Sequence, residues 1–342
     1  MMFAYLVRSL QRLGRKTWDA RRGRSYTWQL GFTYAGNPAA VDFSKVRPAG
    51  TPGRRFQADP FLVPALSPDQ RPVVFVEEWS PRRKRGHISA LELTTLSRSL
   101  GQGPEVRLKH LGKVIQTEHH LSFPFHFLWE GQHYLCPESA GSGCITVWCA
   151  EDYPTRWTPA ATLMRDVSAV DTMLFEANGR WWMLTNLDRT AGTLVAATRD
   201  FHSELHLFHA DNPLSAHWTP HPMNPLRIDS YGGRNAGLSV SAEGIFRYGQ
   251  IQTFDCYGHG MAIYRITALS PTEYREELVR VVSPGLLKGL SGVRGLHTFN
   301  QAGGLAVVDL LHRGGLRVHD LAPAGVSTQQ RRRRIRSARM SV

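Results

Sequence analysis

The sequence predicts an all-β protein: a five-bladed β-propeller preceded by a short, helical, basic N-terminus. A unit of one apolar strand, a turn and a second apolar strand recurs five times, at steps of 64, 48, 64 and 61 residues, as expected for a radial β-array. Matching positions in the five units are Asp59, Phe123, Asp171, Asn235 and Leu296. A radial array gathers the starts of its inner strands at one mouth, so an Asp that recurs there is placed to do chemistry.

The units follow one another along most of the chain. The first begins at Phe56, and the charged insertion 81–86 joins its middle strands. The second opens at His120. The third opens at Ala169, the fourth spans about 233–268 and the last starts near Val293. Pro, His and Trp in 211–226 indicate a loop, and 270–279 is expected to be a short acidic connector. A strand near 26–32 should pair with the last blade, because a closed ring leaves no free edge.

These units place the propeller at 26–325, between a basic segment 1–25 and a basic, disordered tail 326–342. The formal net charge is +13, from 41 Lys and Arg against 28 Asp and Glu, and much of the excess lies in these two ends. Basic ends suit an anionic membrane surface or nucleic acid, or are simply solvated tails. Apolar residues from Phe3 to Leu13 share one helical face, which can lie in a membrane interface or dock on the propeller.

Several classes of protein are excluded by what the sequence contains and lacks. A hydrophobic content of 42% excludes a disordered chain. The four cysteines form no CxxC pair, which predicts free thiols and a reducing compartment. The apolar run 1–7 is too short for a signal peptide, and no segment reaches the ~20 apolar residues of a spanning helix. We therefore expect a cytoplasmic protein, peripheral to the inner face of the membrane. Without a P-loop, a GxGxxG or a GxSxG motif, a kinase, a dehydrogenase or a serine hydrolase is not expected.

Four acidic residues are candidates for chemistry. Asp59 and Asp171 each stand near the start of an inner strand, where an Asp can instead cap its own turn. Glu78 and Glu138 end the second strand of a unit, a position that rim residues also occupy. Paired carboxylates around a cavity are what glycosidic cleavage needs. We therefore predict Asp59, Asp171 and Glu138 as catalytic residues and Glu78 as a substrate-binding residue.

Histidines add candidates for binding a sugar. His87, His120 and His297 occupy loop or strand-start positions among the 15 histidines, and imidazole can hydrogen-bond sugar hydroxyls. None of these three forms an HxxxH or HExxH pattern, so neither a metal site nor another cofactor is predicted.

Several of these motifs resemble one known family. The runs ADPF at 58–61, FVEEW at 75–79, HLSFPF at 120–125, VDTMLFEANGRWWMLT at 170–185 and GLHTFN at 295–300 are similar to the propeller at the N-terminus of plant glucosamine inositolphosphorylceramide transferases and to stand-alone bacterial relatives. That domain is similar to the five-bladed propellers of glycoside hydrolase families 43, 32 and 68. The resemblance covers about residues 26–312 and implies a carbohydrate site in a central funnel.

The resemblance also implies roles and exposes a departure. In the family 43 hydrolases a first-blade Asp is the general base, a third-blade Asp tunes and orients the acid, and a fourth-blade Glu is the acid. Asp59 and Asp171 match the first two positions, but Arg234 and Asn235 stand where the Glu is expected. An amide cannot donate an acidic proton. Either Glu138 or another carboxylate supplies that proton, or the domain does not hydrolyse glycosides by this route.

Arg234 and Asn235 are accordingly predicted as substrate-binding residues. An Arg–Asn pair suits a carboxylate, a phosphate or a hydroxyl group. The alternative is that Arg234 pairs with Asp59, Asp171 or Glu138 and neutralises a crowded acidic site.

Two functions remain in competition. One is a glycosidase- or transglycosylase-like protein acting on a glycan or glycolipid in the funnel. The other is a non-catalytic glycan-recognition module that supports a glycosyltransferase or an envelope polysaccharide pathway. A scaffold that binds protein or nucleic acid through the basic ends is a third hypothesis. The expected partners are a glycan or glycolipid and an anionic membrane surface, and nucleic acid is not the predicted partner.

Overall fold

The computed structural model describes residues 26–49, 56–97, 102–188, 204–253 and 256–313. These residues form 22 strands arranged in five antiparallel sheets. The only helical elements among them are single 3-10 turns, such as Pro38–Ala40 and Phe43–Lys45. The prediction of an all-β protein with five blades is confirmed.

The strands, in chain order, have these bounds. They are β1 Tyr26–Tyr34, β2 Arg47–Pro48, β3 Gln57–Val63, β4 Val73–Ser80, β5 Arg85–Ser97, β6 Glu105–Ile115, β7 Ser122–Trp129, β8 Gln132–Glu138, β9 Cys144–Asp152, β10 Arg156–Arg165, β11 Ala169–Ala177, β12 Arg180–Leu187, β13 Glu204–Ala210, β14 Thr219–Pro220, β15 Arg227–Ile228, β16 Tyr231–Ser241, β17 Gly244–Thr253, β18 Cys256–Leu269, β19 Tyr274–Val282, β20 Val293–Gly295, β21 Phe299–Ala302 and β22 Leu305–Arg313.

Each blade is a sheet whose strands are ordered from the centre of the ring outward. Blade one is β3 to β6, blade two β7 to β10 and blade four β16 to β19, while blade three carries β11 to β13 with β14 and β15 at its edge. The innermost strands β3, β7, β11, β16 and β21 contact one another in that order, and β21 contacts β3 again. The five inner strands therefore form a closed ring.

Blade five closes the ring with strands from both ends of the described chain. Its inner strands β20 and β21 pair with β22, which pairs with β1 in a register that sets Leu30 opposite Asp309. The prediction that an early strand joins the last blade is confirmed. The physical reason is that β22 would otherwise expose unpaired backbone groups along its whole length.

Aromatic side chains pack the inner strands of neighbouring blades against each other. Phe61 of blade one meets Phe123 and Phe125 of blade two with ring centroids 4.9 and 5.4 Å apart, both edge to face. Every residue of β3 is buried, as expected for a strand that has another blade on each side. Truncating such a buried Phe to Ala costs about 3–5 kcal/mol.

The interpretation of 270–279 as a connector is wrong, because Tyr274–Val282 forms β19, the outer strand of blade four. Its acidic residues do not mark a loop, since Glu276 points back at the buried Arg247 of β17 with a 2.6 Å contact. The basic segment 1–25, its expected helix and the tail 326–342 lie outside the described residues. Within the described ranges, no helix is long and apolar enough to cross a membrane.

Candidate active site

A shared backbone irregularity builds the site. Asp59, Phe123 and Asp171 occupy the same place in the first three inner strands, with φ of 49°, 43° and 51°. At each place the pairing with the second strand skips a residue, as in a β-bulge. A non-glycine residue in this left-handed region costs about 1–3 kcal/mol. The same cost at three equivalent positions indicates that the bulge belongs to the repeating unit.

The carboxylate of Asp59 is held by groups from two other blades. Its Oδ1 accepts a hydrogen bond from the Thr298 hydroxyl (2.6 Å) and its Oδ2 accepts one from the backbone N–H of Phe123 (3.2 Å). His297 Nε2 lies 3.6 Å from Oδ1. Burial raises the pKa of Asp59, while nearby His297 opposes the rise.

Asp309 and Trp28 fix the position of His297. Nδ1 of His297 lies 2.6 Å from Asp309 Oδ2, and the imidazole stacks on the Trp28 ring at a centroid distance of 4.1 Å. Asp309 also accepts from the backbone N–H of Asp59 (3.1 Å). Burial alone would lower the pKa of His297, but the charges of Asp309 and Asp59 outweigh burial and raise it. The structure thus places His297 in the site, and adds Asp309.

Asp171, Arg234 and Glu138 form the other half of the site. Arg234 Nε donates to Asp171 Oδ2, and its Nη2 lies 3.4 Å from Asp171 Oδ1 and 3.3 Å from Glu138 Oε2. The three residues come from blades three, four and two, so the packing of three consecutive blades brings them together. Of the two alternatives for Arg234, the neutralising contact with acidic residues is the one that the structure shows.

The carboxyl group of Glu138 has a raised pKa. Burial, together with the charge of Asp171, raises its pKa from 4.5 to about 8, although Arg234 pulls the other way. Asp59 contributes to the rise, which places the two halves of the site within electrostatic reach of each other. Glu138 therefore carries a proton at neutral pH and can donate it.

Glu77, which the sequence analysis missed, also faces this site. Burial raises its pKa well above 4.5, and Asp59 and Glu138 raise it further. Its Oε1 lies 3.6 Å from His120 Nε2. The sequence contains a signal for it, because neighbouring residues on a strand point to opposite faces and FVEEW offers two consecutive acids.

Glu78 belongs to a hydrogen-bond network within blade one. Its carboxylate accepts hydrogen bonds from Gln57 (3.0 Å) and Ser89 (2.8 Å), and His110 Nε2 lies 2.9 Å away. Burial alone would raise its pKa, but hydrogen bonds, that from His87 first, outweigh burial and lower the pKa to about 2. Glu78 and His87 therefore join the strands of blade one, and their assignment to substrate binding stays a prediction.

The side chain of Asn235, a predicted substrate-binding residue, bonds to a neighbouring blade. It is fully buried, and its amide donates to the backbone carbonyl oxygens of Asp171 (3.0 Å) and Leu184 (3.4 Å). Its own backbone N–H donates to Asn186 Oδ1 at 2.8 Å. Asn235 thus fastens blade four to blade three behind the site.

Residues 17–300 match the model of the family described as "Glucosamine inositolphosphorylceramide transferase 1, N-terminal". The chain belongs to this family. It is 29% identical over 288 residues to glucosamine inositolphosphorylceramide transferase 1 of Oryza sativa subsp. japonica, and 30% identical over 227 residues to the Arabidopsis thaliana protein of that name.

The match covers only part of these relatives. It takes in 80% of this chain and 34% of the rice protein, and 65% of this chain and 27% of the Arabidopsis protein. The chain therefore spans about a third of the length of the curated relatives that it matches. Among solved structures, the catalytic domain of the Coprinopsis cinerea GH62 α-L-arabinofuranosidase is similar in fold, with a TM-score of 0.50 and 11% identity over 84% of this chain and 98% of that one.

In this member of the transferase N-terminal family, His120 and Tyr257 lie at the opening of the site. His120 is 42% exposed, and its Nδ1 accepts from the backbone N–H of Gly86 at 2.8 Å. Burial and the charge of Arg234 lower its pKa, which favours a neutral imidazole. Tyr257 is 40% exposed, with Arg234 5.6 Å from its ring centroid. Both rings can therefore contact a molecule that enters the funnel.

Within the described ranges, one set of residues could hold a metal ion, although the sequence predicts no metal site. Asp59, His297 and Asp309 each offer a ligand atom, and these atoms lie within 4.8 Å of one another. The donors already contact one another and Thr298, so a metal ion would have to displace those contacts.

Proposed function

We propose that the central site binds a glycan or the sugar headgroup of a glycolipid and catalyses cleavage or transfer at a glycosidic bond. The observation that supports the proposal most is that two carboxyl groups, those of Glu138 and Asp59, lie close enough to influence each other. Glu138 holds a proton up to a pKa of about 8, and Asp59 lies within its electrostatic reach. Two carboxyl groups in one cavity, one of them able to donate a proton, are the usual equipment for this chemistry.

In this proposal Glu138 is the general acid. It gives its proton to the leaving oxygen as the glycosidic C–O bond breaks. Asp59 takes the proton of an attacking hydroxyl, from water or a sugar acceptor, as the new C–O bond forms. Asp171 and Arg234 orient Glu138, through the 3.3 Å contact from Arg234 Nη2 and the bonds from Arg234 to Asp171. General acid catalysis of this kind contributes about 10²–10⁴-fold in rate.

Arg234 indicates the class of substrate. Its Nε and Nη2 bond Asp171 and Glu138, whereas Nη1 has no hydrogen-bond partner in the described part of the chain. Two N–H donors at that atom can bind a phosphate or an acidic sugar. The name of the curated relatives contains an amino sugar and an inositolphosphorylceramide, so a phosphoinositol-containing glycolipid is the first substrate to test.

A second function, glycan recognition without catalysis, is favoured by the same arginine. Arg234 occupies the position at which the hydrolase-like resemblance expects an acid, and its charge offsets those of Asp171 and Glu138. A neutralised site can bind a sugar tightly and leave the glycosidic bond intact. In that case the domain would support a separate glycosyltransferase.

Turnover and binding measured on the same variants separate these functions. The full chain is assayed for hydrolysis and transfer with inositol phosphate and glucosamine glycans, and for binding by calorimetry. If the site is catalytic, Glu138→Gln and Asp59→Asn lower kcat by about 10²-fold or more while binding persists. The matched control Glu118→Gln, at an exposed acid outside the cluster, keeps full activity.

The remaining outcomes are equally informative. Binding without any turnover by the wild-type protein, lost in Arg234→Lys, would favour the recognition function. Turnover that survives in both Glu138→Gln and Asp59→Asn would refute the assignment of these acids. The absence of both binding and turnover across the panel would refute a carbohydrate function.

A further inference from the structure

We infer that the end of the propeller at which the site opens is a docking surface for an anionic lipid bilayer. Asp59, Asp171 and Arg234 lie near the starts of inner strands, and Glu138 ends a second strand. Connections that join second to third strands therefore lie at the same end, which we call the mouth face. Connections between first and second strands lie at the opposite face.

Both ends of the described chain leave at the mouth face. β22 runs antiparallel to the inner strand β21, with Asn300 opposite Val307, so β22 ends where the inner strands begin. β1 starts beside that end, because Tyr26 pairs with Arg313. The 25 residues before Tyr26 and the 29 after Arg313 are thus attached at one place.

The sequences attached there are strongly basic. The first segment contains seven basic residues and one acid; they are Arg8, Arg12, Arg15, Lys16, Arg21, Arg22 and Arg24, with Asp19. The second also contains seven basic residues and one acid; they are Arg317, Arg331, Arg332, Arg333, Arg334, Arg336 and Arg339, with Asp320. Their positive charges are therefore covalently attached at the mouth face.

The described mouth face has the same charge. Its exposed basic residues are Arg82, Arg83, Lys84, Arg165, Lys288 and Arg294. Two exposed acids, Glu118 and Asp166, lie among them. The turn 81–84 joins β4 to β5, and its three basic side chains form no ion pair with any described residue. These charges remain available for a partner.

The opposite face differs in charge. Its turns and strand ends carry the exposed acids Asp69, Glu130, Asp152, Glu243 and Glu273. Basic residues near that face are partly paired, since Arg156 contacts Glu151 (3.0 Å) and Arg275 contacts Glu273 (2.6 Å). A flat anionic surface would therefore attract the mouth face and repel the opposite one.

Exposed aromatic side chains at the mouth favour a bilayer over another polyanion. Trp79, Tyr231 and Tyr257 are 41%, 50% and 40% exposed, and each lies at or near the mouth end of its strand. Trp and Tyr rings with a polar edge lie preferentially at the headgroup level of a membrane. Docking would hold the funnel open toward lipid headgroups. The docking surface itself does not depend on the reaction proposed above.

The test uses the full chain and vesicles of phosphatidylcholine with or without one-third phosphatidylserine, at rising salt. Binding should require phosphatidylserine and weaken with salt. The triple variant Arg82→Ser, Arg83→Ser, Lys84→Asn removes three mouth charges, and Asn tolerates the left-handed backbone at 84 (φ 54°). Each charge near the surface is worth about fivefold in partitioning, so the variant should bind roughly a hundredfold more weakly.

A matched triple variant on the opposite face, Arg71→Ser, Arg156→Ser, Arg275→Ser, removes the same charge and should bind as wild type does. Hydrogen exchange on vesicles should protect 79–86 and spare 242–243. Equal losses in the two triple variants, or protection at the opposite face, would overturn the proposal. Pelleting of the protein without vesicles would also overturn it, because this would indicate that the mouth face of one molecule stacks on the opposite face of another. So would release of the protein from vesicles by a DNA duplex added at the same phosphate concentration as the lipid.

Discussion

Glu138→Gln should make the protein more stable at alkaline pH, although it removes a carboxyl group from the candidate site. Burial and Asp171 raise the pKa of Glu138 from 4.5 to about 8. Between those pH values the folded protein keeps a proton that the unfolded chain has lost. The contribution of protonated Glu138 to the free energy of unfolding is therefore fully present below pH 4.5 and is lost as pH rises toward 8.

The size of the effect follows from that interval. The free energy of unfolding changes by about 1.4 kcal/mol for each pH unit over which the folded state binds one proton more than the unfolded state. Over the whole interval this amounts to roughly 5 kcal/mol, and sharing of the charge with Asp171 and Arg234 reduces it to a few kcal/mol. Gln removes this pH dependence, yet its amide can still accept from Arg234 and donate to Asp171.

Urea unfolding of both proteins at pH 5, 6.5 and 8 measures the effect. The difference in free energy of unfolding, variant minus wild type, should grow steadily with pH, because other titrating groups are common to both proteins. Glu118→Gln, at an exposed acid, should give a difference that hardly changes. A constant difference for Glu138→Gln across the three pH values would refute the raised pKa and with it the role of Glu138 as proton donor.

Three further outcomes can be measured by unfolding. Glu276→Gln should destabilise the protein by about 3–5 kcal/mol, because it removes the opposite charge that faces the fully buried guanidinium of Arg247 at 2.6 and 2.7 Å. A loss below ~1 kcal/mol would contradict this. Gly237→Ala should lower Tm, because φ is 129° and an added Cβ would lie 2.1 Å from a carbonyl oxygen, whereas Gly36→Ala, with open space around it, should not. The raised pKa of His297, in which neighbouring carboxylates outweigh burial, stabilises the fold below pH 6.5, and this contribution is lost as pH rises through the folded pKa. His297→Gln should therefore cost more at pH 5.5 than at pH 8, and equal costs would count against the ion pair.

The propeller could be predicted from the sequence because its signals are local and repeated. Each blade can be recognised from two apolar strands and the turn between them, and five repeats of this pattern indicate a propeller. The recurrence of Asp59 and Asp171 was equally visible, and in the structure both occupy the same bulged position. Closure by β1 follows from the need to pair the edge of β22. These features depend on short stretches of chain or on general rules for sheets.

The direction of individual side chains could not be predicted in the same way. Glu77 and Glu78 are adjacent, and a strand sends one to each face, so the choice between them depends on register. The bulge shifts that register by one residue in blades one, two and three. Asp309, within an apolar run of β22, and Asn235, buried between two blades, gain their roles from partners that are distant in the sequence.

The sequence alone therefore determined a five-bladed ring with acidic residues at one mouth. Only the tertiary structure decided which acids meet and how they titrate. Glu138, Asp171 and Arg234 come from three blades, and the pKa of Glu138 depends on burial and on charges a few ångströms away. Electrostatic energies vary steeply with distance and burial, and both are set when the ring closes, not by any local segment of the chain.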